Sequence, residues 1–269
     1  MCCQFTTAER NGDEMMHANC SGLAENKTDG LGAYYREIVG NGLWTNAYRL
    51  RAYNEFTFAG VSFSGKSVLD IGGGTGRASF YAAASGARRV VCLEPLADGS
   101  QPGQADKFGQ IADALNLHNV ALIRQRFEDF DEGFGSFDVI LLLAAINHLN
   151  EWACIHLHEL NEARERYKVL FAKLAALAAK GADLIVTDCA PGNIFPLLGL
   201  KNPLAPTIEW HKHQPPEIWE RLLHDAGFEI METTWAVPNG LGKPGRRLLG
   251  NRFAAYFLRS TFRLHMRKQ

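Results

Sequence analysis

The residues best suited to chemistry lie in the segment Asp70-Ile71-Gly72-Gly73-Gly74-Thr75-Gly76, which ends a short apolar run. Glycines at positions 72, 74 and 76 have no Cβ, so the backbone can turn tightly there and a ligand can approach it closely. Asp70 is a carboxylate that can accept hydrogen bonds from a cationic group. A helix that begins near Arg77 would add free N–H groups. The segment therefore predicts a ligand-binding loop between a strand and a helix.

A second carboxylate ends the next apolar run, Val90-Val91-Cys92-Leu93-Glu94-Pro95. Glu94 follows Gly76 by eighteen residues, a separation at which a carboxylate can accept hydrogen bonds from both hydroxyls of a ribose. A nicotinamide dinucleotide fingerprint would need glycine at position 77 or 79, where the chain has Arg77 and Ser79. The spacing therefore disfavours a dinucleotide site, and a solvated carboxylate before a proline turn is the other interpretation of Glu94.

The pattern Asp-x-Gly-x-Gly-x-Gly resembles motif I of the class I S-adenosylmethionine (AdoMet) methyltransferases, and the similarity extends over about residues 65–228. The resemblance implies AdoMet as the cofactor and S-adenosylhomocysteine as its product. It also implies that the cofactor is held by Asp70, Gly72, Gly73, Gly74, Gly76, Glu94 and Pro95.

The adenine-binding segment departs from the family's pattern. The family usually has a Gly-Asp-x-x-x-Leu-like stretch here, whereas this chain has Gln125-Arg126-Phe127-Glu128-Asp129-Phe130, with Arg126 at the usual aspartate position. The resemblance then leaves Glu128 or Asp129 to meet the adenine amino group and the Phe127 backbone N–H to meet a ring nitrogen. Which carboxylate does so stays open.

The fourth apolar run, from Phe137 to Leu143, continues into Ala144-Ala145-Ile146-Asn147-His148-Leu149. The resemblance places this strand end beneath the transferable methyl group, with Leu143 beside the cofactor and Asn147 on the acceptor side. His148 is the candidate general base because an imidazole titrates near neutrality. It could instead cap the next helix or pack over the cofactor. The Asn-Pro-Pro-Tyr-like sequence typical of amino methylation of bases is absent.

Further candidate substrate contacts lie in the insertion Ile208-Glu209-Trp210-His211-Lys212-His213, which is dense in polar and aromatic groups. In an extended stretch His211 and His213 would point to the same side. With Asp188 they could form a metal site, but two histidines and one distant carboxylate are a weak signal, and we predict no metal. A surface loop held in place by Trp210 is the alternative.

Charge is distributed unevenly along the chain. Residues 236–269 contain eight Lys or Arg and no Asp or Glu, whereas the other residues carry 20 basic and 29 acidic groups. Between residues 236 and 260 the basic residues interleave with apolar ones and predict an amphipathic helix with a basic face. This helix could recruit an anionic acceptor, contact an acidic partner subunit, rest on a membrane surface, or simply be a solvated face.

Composition excludes several classes of protein. No apolar run approaches the roughly 18 residues needed for a membrane span, and the first twenty residues lack the apolar region of a secretory signal. The six cysteines show no zinc-like spacing. We therefore expect a cytoplasmic protein with reduced thiols and no membrane span. The net charge of -1 does not favour a nucleic-acid partner.

Short apolar runs alternate with helical stretches along most of the chain. The pattern predicts strands at 67–71, 89–93, 120–123, 137–143, 182–187, 228–234 and 261–267. It predicts helices at about 77–85, 104–115 and 216–226, and another that ends at Gly181 as its C-cap. The fold class is therefore α/β: a doubly wound, mostly parallel seven-stranded sheet, the Rossmann-like methyltransferase fold, with N-terminal helices and a substrate-capping insertion.

Three regions are expected. Residues 1–30 are polar and predicted to be loosely packed or disordered, and residues 31–60 are predicted to form a helical cap. Residues 61–269 would form the AdoMet-binding domain, with insertions at about 189–215 and 236–260.

These features favour an enzyme that transfers a methyl group from AdoMet to a small-molecule acceptor. A hydroxyl of a sugar or secondary metabolite is preferred because the amino-methylation motif is missing. The alternatives are an RNA or protein methyltransferase that uses the basic segment, an NAD-dependent oxidoreductase, and a non-catalytic AdoMet-binding regulator. The oligomeric state is left open, a homodimer being one option.

Overall fold

The structure, a computed structural model, describes residues 21–95, 103–132, 135–238 and 241–269 of the chain. Its centre is a seven-stranded sheet of β1 (Ser67–Ile71), β2 (Arg89–Leu93), β3 (Val120–Ile123), β4 (Phe137–Leu143), β5 (Ala178–Cys189), β6 (Phe228–Trp235) and β7 (Thr261–Lys268). The strand order is β3-β2-β1-β4-β5-β7-β6. Only β7 runs antiparallel to its neighbours, β5 and β6. The predicted mostly parallel α/β sheet is confirmed.

Helices cover both faces of the sheet. They are α1 (Ser21–Gly40), α2 (Ala47–Thr57), α3 (Arg77–Ala84), α4 (Gln104–Ala114), α5 (Glu151–Ile155), α6 (Asn161–Leu177), α7 (Ile194–Leu197), α8 (Pro216–Asp225), α9 (Gly242–Leu249) and α10 (Arg252–Phe257). On one face, α6 and α8 bury Phe171, Leu174 and Trp219 against the sheet. On the other face, α3 packs its alanines on β1, and α1 and α4 pack outside α3.

Burial explains why the strand positions could be read from the sequence. Every residue of β1 is buried, as are four of the five residues of β2, because helices cover both sides. Parallel strands in this setting must be continuous apolar runs. The bounds of β1 to β4 accordingly agree with the predicted ones, and those of β6 and β7 differ by one residue.

The fifth strand is longer than predicted, and Gly181 does not cap a helix. Helix α6 ends at Leu177, and Ala178 already pairs with Phe137 of β4. The register between β4 and β5 then shifts before Asp183 pairs with Val139. Gly181, with φ of 76°, lies inside this irregular part of the strand. Strand pairing has therefore replaced the last predicted turn of the helix.

Two other stretches also differ from the prediction. Helix α1 begins at Ser21, so residues 21–30 of the predicted loose N-terminus are helical, while residues 1–20 lie outside the described part of the chain. The basic segment forms two short helices instead of one. Helix α9 ends at Leu249, with Gly250 as its C-cap, and the Asn251 side chain caps the start of α10 by accepting a hydrogen bond from the Ala254 N–H at 3.0 Å. In the described ranges, no helix combines the length and apolarity that crossing a membrane requires.

A buried arginine ties the N-terminal helices to the sheet. Arg263 of β7 is fully buried, with 0% of its surface exposed. It donates to the carbonyl oxygens of Thr57 and Ala59, just at and after the end of α2, and to the Glu232 carboxylate at 3.1 Å. The chain leaving α2 therefore docks on the sheet through a charged side chain and not through apolar contacts alone.

We expect Arg263→Met to lower the free energy of unfolding by about 3 kcal/mol, because two buried carbonyl oxygens lose a charged donor. Chemical denaturation would measure the change. Arg267→Met is the control: Arg267 pairs with Asp183 at 3.0 Å but is 43% exposed, so its loss should cost less than about 1 kcal/mol. Equal costs for the two variants would contradict the anchoring role of Arg263.

Candidate active site

A cavity of about 570 Å³ opens at the carboxyl edge of the sheet, beside the ends of β1, β2, β3 and β4. In open α/β sheets this is the edge at which ligands bind. The lining residues are Ile71, Gly72, Leu93, Glu94, Pro95, Gln125, Arg126, Phe127, Glu128, Ala144, Ala145, His148, Leu149, Asn150 and Glu151.

The glycine loop forms one wall of the cavity in a backbone conformation that favours glycine. Gly72, Gly74 and Gly76 have φ values of 67°, 57° and 80°. The N–H of Gly72 donates to the Leu93 carbonyl at 2.8 Å, which fixes the loop to the end of β2. Gly76 then serves as the N-cap of α3.

Space also demands glycine in this loop. A Cβ on Gly73 would lie 2.5 Å from Cys92 Sγ and 2.8 Å from Asp70 Oδ2, and a Cβ on Gly72 would lie 2.8 Å from the Ala145 Cβ. A Cβ atom does not approach a non-bonded heavy atom this closely, so a larger residue at either position would force its surroundings to shift. The loop therefore packs directly on β2 and on the segment after β4.

Asp70 supports the loop from beneath and does not line the cavity. It is 1% exposed, and its Oδ2 accepts a 2.7 Å hydrogen bond from the Ser79 hydroxyl of α3. Burial raises the pKa of Asp70 to about 6, although the Ser79 hydrogen bond and the charge of Arg77 oppose the shift. A cationic group brought to the loop would favour the ionised form.

Glu94 links the end of β2, where it lines the cavity, to the glycine loop. Its Oε2 accepts a hydrogen bond from the Gly74 N–H at 2.9 Å, and the residue lines the cavity beside Pro95. One carboxylate oxygen is thus held by the loop, which orients the other. This is the arrangement that would present a carboxylate to a pair of vicinal hydroxyls.

The segment after β3 lines the cavity through its backbone and its polar side chains. Phe127 begins a 3-10 turn, Phe127–Asp129, so its N–H has no partner within that turn. Its ring is buried in the core, with 4% of the residue exposed, whereas Glu128 and Arg126 line the cavity. Asp129 is exposed and lies outside the lining. The geometry therefore favours Glu128 over Asp129 as the cavity carboxylate.

The opposite rim follows β4. Ala144 has a φ of 55°, a left-handed backbone conformation that costs energy in a residue that carries a Cβ. A 3-10 turn, Ile146–His148, comes next. His148 lines the cavity, and its Nδ1 lies 2.7 Å from Glu151 Oε1, with the two side chains 55% and 44% exposed. The hydrogen bond from His148 holds the pKa of Glu151 below its ordinary value.

The predicted substrate residues separate into buried and exposed groups. Asn147 is buried, with 2% of its surface exposed, and Leu143, the last residue of β4, is half-buried. Trp210–Lys212 forms a 3-10 turn, so the extended conformation considered for His211 and His213 is not found. His211 faces solvent, whereas His213 turns inward and places Nδ1 2.8 Å from Asp188 Oδ1.

The structure brings some of the predicted residues together at this cavity. Those that line it are Gly72, Glu94, Pro95, Phe127, Glu128 and His148. The sequence patterns assigned no role to the polar lining residues Gln125, Arg126, Asn150 and Glu151. The first two occupy positions where the family's usual residues are missing, and that departure was the only available signal. Among the residues that the structure describes, no group of three or more His, Cys, Asp or Glu could hold a metal ion.

Comparisons with known proteins agree with this architecture. Residues 45–233, well over half of the chain, match the family model described as "Methyltransferase domain". An S-adenosylmethionine dependent methyltransferase from Mesorhizobium loti has a similar fold, with a TM-score of 0.51 and 14% identity over 77% of this chain and 93% of that chain. The [4+2]-cyclase SpnF is also similar, with a TM-score of 0.53 and 15% identity over 83% of this chain and 81% of that chain. At these identities the likeness shows the fold alone.

Protein arginine N-methyltransferase 6 from Danio rerio is 31% identical over 83 residues, which are 31% of this chain and 23% of that protein. The aligned part thus spans less than a quarter of that relative. The family model, the sheet order and the glycine loop with its acidic neighbour on β2 agree on one conclusion. The chain belongs to the family described as "Methyltransferase domain".

Proposed function

We propose that the protein is a class I methyltransferase that uses AdoMet and transfers its methyl group to a hydroxyl of a small molecule, such as a sugar or a secondary metabolite. The observation that carries this proposal is the covering of the acceptor side by fixed inserted segments. The insertion after β5 is held by Asn193 and Asn202, whose side-chain amides both donate to the Leu258 carbonyl after α10. A concave site bordered by fixed segments suits a small acceptor better than a polymer.

The cavity beside the glycine loop fits the cofactor in size and chemistry. Its volume of about 570 Å³ lies within the range of small-molecule sites. We assign Gly72, Gly73, Gly74 and Gly76 to the close backbone approach, Asp70 to the support of that loop, and Glu94 with Pro95 to the ribose. Phe127 with Glu128 or Asp129 would meet the adenine, and Leu143 would pack near the cofactor.

When bound, AdoMet supplies an electrophilic methyl group on a sulfonium. The protein's share of the reaction is to align the acceptor atom with that methyl and to exclude water. A base is needed only where the acceptor must lose a proton, as a hydroxyl does. On the acceptor side we retain Asn147, Trp210, His211 and His213 as candidate contacts, and His148 on the rim as a candidate base.

The exposed basic residues supply the second candidate function, a protein or RNA acceptor. Arg247 and Arg259 are exposed on and after the two C-terminal helices, and Lys201 is exposed in the insertion. A polymer held by such charges would bind more weakly as salt is raised. An anionic small molecule, such as a nucleotide sugar, would also be attracted by them.

A labelled-methyl assay distinguishes these acceptors. The full chain would be incubated with tritium-labelled AdoMet and, in separate arms, free sugars, nucleotide sugars, hydroxylated aromatic compounds, arginine-rich peptides or RNA. Label in a small hydroxylated compound, with a methyl ether found by mass spectrometry, is the expected result. Label only in peptide or RNA, abolished by salt, would overturn the small-molecule proposal.

Glu94→Ala should weaken AdoMet binding by about 100-fold, because two charge-assisted hydrogen bonds to the ribose are lost. Calorimetric titration with AdoMet and with S-adenosylhomocysteine measures the change. Glu162→Ala is a matched control, since Glu162 is a carboxylate on α6 that is 65% exposed and pairs with Arg166 on the same helix. Unchanged affinity in the Glu94 variant would refute the ribose assignment.

Asp70→Asn should stabilise the ligand-free protein near neutral pH and weaken cofactor binding. The ordinary pKa of this carboxyl is 3.8, and the folded value is about 6. Between these values the folded state keeps a proton that the unfolded chain has lost, so the free energy of unfolding falls as pH rises through this window. Asparagine removes that loss, a gain of about 2–3 kcal/mol above pH 6.

Thermal unfolding of both proteins between about pH 4 and pH 7 provides the test. The two stability curves should diverge as pH rises through the window and stay parallel above it. Parallel curves throughout the range would contradict the buried carboxylate as the cause.

A further inference from the structure

His213 and Asp188 form a buried pair that the assignments above do not use as a unit. Asp188 is the penultimate residue of β5, and His213 follows the 3-10 turn of the insertion. His213 Nδ1 lies 2.8 Å from Asp188 Oδ1, and the side chains are 13% and 1% exposed. The imidazole Nε2 has no hydrogen bond within the described ranges, so the ring presents one committed and one available nitrogen.

Polar atoms around this pair lack partners. Asp188 Oδ2 and Gln214 Oε1 are buried acceptors without a hydrogen bond among the described residues. Gln214 is fixed in orientation because its Nε2 donates to the Cys154 carbonyl at 2.7 Å. Buried polar atoms are nearly always paired in folded proteins, and exceptions concentrate at functional sites.

The pair is adjacent in sequence to residues that line a second cavity at the carboxyl edge of the sheet. Besides the cofactor cavity, a second one of about 550 Å³ is lined by Ala190, Pro191, Gly192, Pro215, Trp235, Arg252, Phe253 and Tyr256. Asp188 precedes Ala190 by two residues, and His213 precedes Pro215 by two. Lys212 pairs with Glu151 at 3.2 Å, and Glu151 lines the cofactor cavity.

Other groups near the pair are poor bases. Cys154 of α5 donates its Sγ hydrogen to the Lys212 carbonyl, and burial raises the pKa of this thiol to about 12. Burial also raises the pKa of Tyr167 on α6, whose hydroxyl donates to the Ile146 carbonyl at 2.9 Å. Lys212 is engaged by Glu151 and Glu209. Of these side chains, the imidazole alone has one nitrogen held by a carboxylate and another without a hydrogen bond among the described residues.

We propose that His213 is the general base of the methyl transfer, that Asp188 is its positioning residue, and that the acceptor binds in the second cavity. This inference rests on the proposed function, since only an acceptor that must lose a proton needs a base. The acceptor oxygen forms a bond to the methyl carbon as the carbon–sulfur bond breaks, and the sulfur keeps the bonding electron pair. The hydroxyl proton passes to His213 Nε2, and the imidazolium is paired with Asp188 until water removes the proton.

The same geometry distinguishes His213 from His148. The His148–Glu151 pair has a similar distance of 2.7 Å, but its side chains are 55% and 44% exposed, so water competes for both groups. The Asp188 carboxylate is shielded from water and holds the proton on Nδ1, which leaves the lone pair on Nε2. Preorganisation of this kind is what a base contributes in an enzyme.

The first test needs no acceptor. Diethyl pyrocarbonate modifies neutral imidazoles, and peptide mass spectrometry follows each histidine separately. In Asp188→Asn, an amide that donates to Nδ1 moves the ring proton to Nε2. Modification of His213 should then slow at least about fivefold, with the exposed His224 and His148 as internal references. A purely structural pair predicts the opposite, faster modification as the insertion loosens. A His213 that is unreactive in the wild type would also overturn the proposal.

The second test uses the acceptor identified by the labelled-methyl assay. His213→Gln should lower kcat at least about 100-fold, and AdoMet affinity measured by calorimetry should change less than about twofold. His224→Gln, at an exposed histidine on α8, is the matched control and should keep the wild-type kcat. If His213→Gln stays within about threefold of the wild type, or if only His148→Gln is inactive, the inference fails while the methyltransferase assignment stands. If only peptide or RNA is methylated, the proposed function fails. The rates of diethyl pyrocarbonate modification then still show whether Asp188 holds the ring proton of His213 on Nδ1.

Discussion

The close packing of the glycine loop on β2 is the constraint on which the site depends. Two consecutive N–H groups, of Gly72 and Gly73, point to the Leu93 carbonyl, and Cys92 Sγ fills the space where a Cβ on Gly73 would lie. That contact sets the distance between the ends of β1 and β2, and therefore the position of Glu94 relative to the loop. It also sets the start of α3, whose Ser79 holds Asp70. Cofactor geometry is in this sense a property of backbone packing.

Three charged side chains in this fold are buried away from water. Asp70 is buried where its charge is disfavoured, and Asp188 is buried with one oxygen unpaired. Arg263 is buried too, but each of its three guanidinium nitrogens donates a hydrogen bond. Two of these bonds attach the end of α2 to the sheet. The difference is informative. A buried charged side chain whose polar atoms are hydrogen-bonded stabilises the junction between two elements. A buried charged side chain with an unpaired polar atom marks a place where a ligand or a proton can supply the missing hydrogen bond.

The sequence was sufficient for the parts of the fold that follow from local patterns. Strands β1, β2 and β4 are apolar because both of their faces are buried, and the spacing of the glycines alone indicates the turn after β1. It was insufficient where long-range pairing overrode local preference, as at Gly181, where β4 draws residues after α6 into the sheet. It also could not pair His213 with Asp188, because 25 residues separate them and only the path of the insertion brings them together. The Arg126 departure was visible, but its place in the cavity was not.

The two halves of the site have different origins, and this difference bears on specificity. The cofactor half is built from strand ends whose spacing the sheet fixes, so it tolerates little change. The acceptor half that we propose consists of the insertion after β5 and the C-terminal helices, which are joined to each other by side-chain hydrogen bonds such as those of Asn193 and Asn202 to the Leu258 carbonyl. Those segments can vary without disturbing the core. Asp188 belongs to the sheet and His213 to the insertion, so the pair joins the two halves. The reacting acceptor atom would thus be placed by the rigid part of the molecule, while the variable part selects the molecule that carries it.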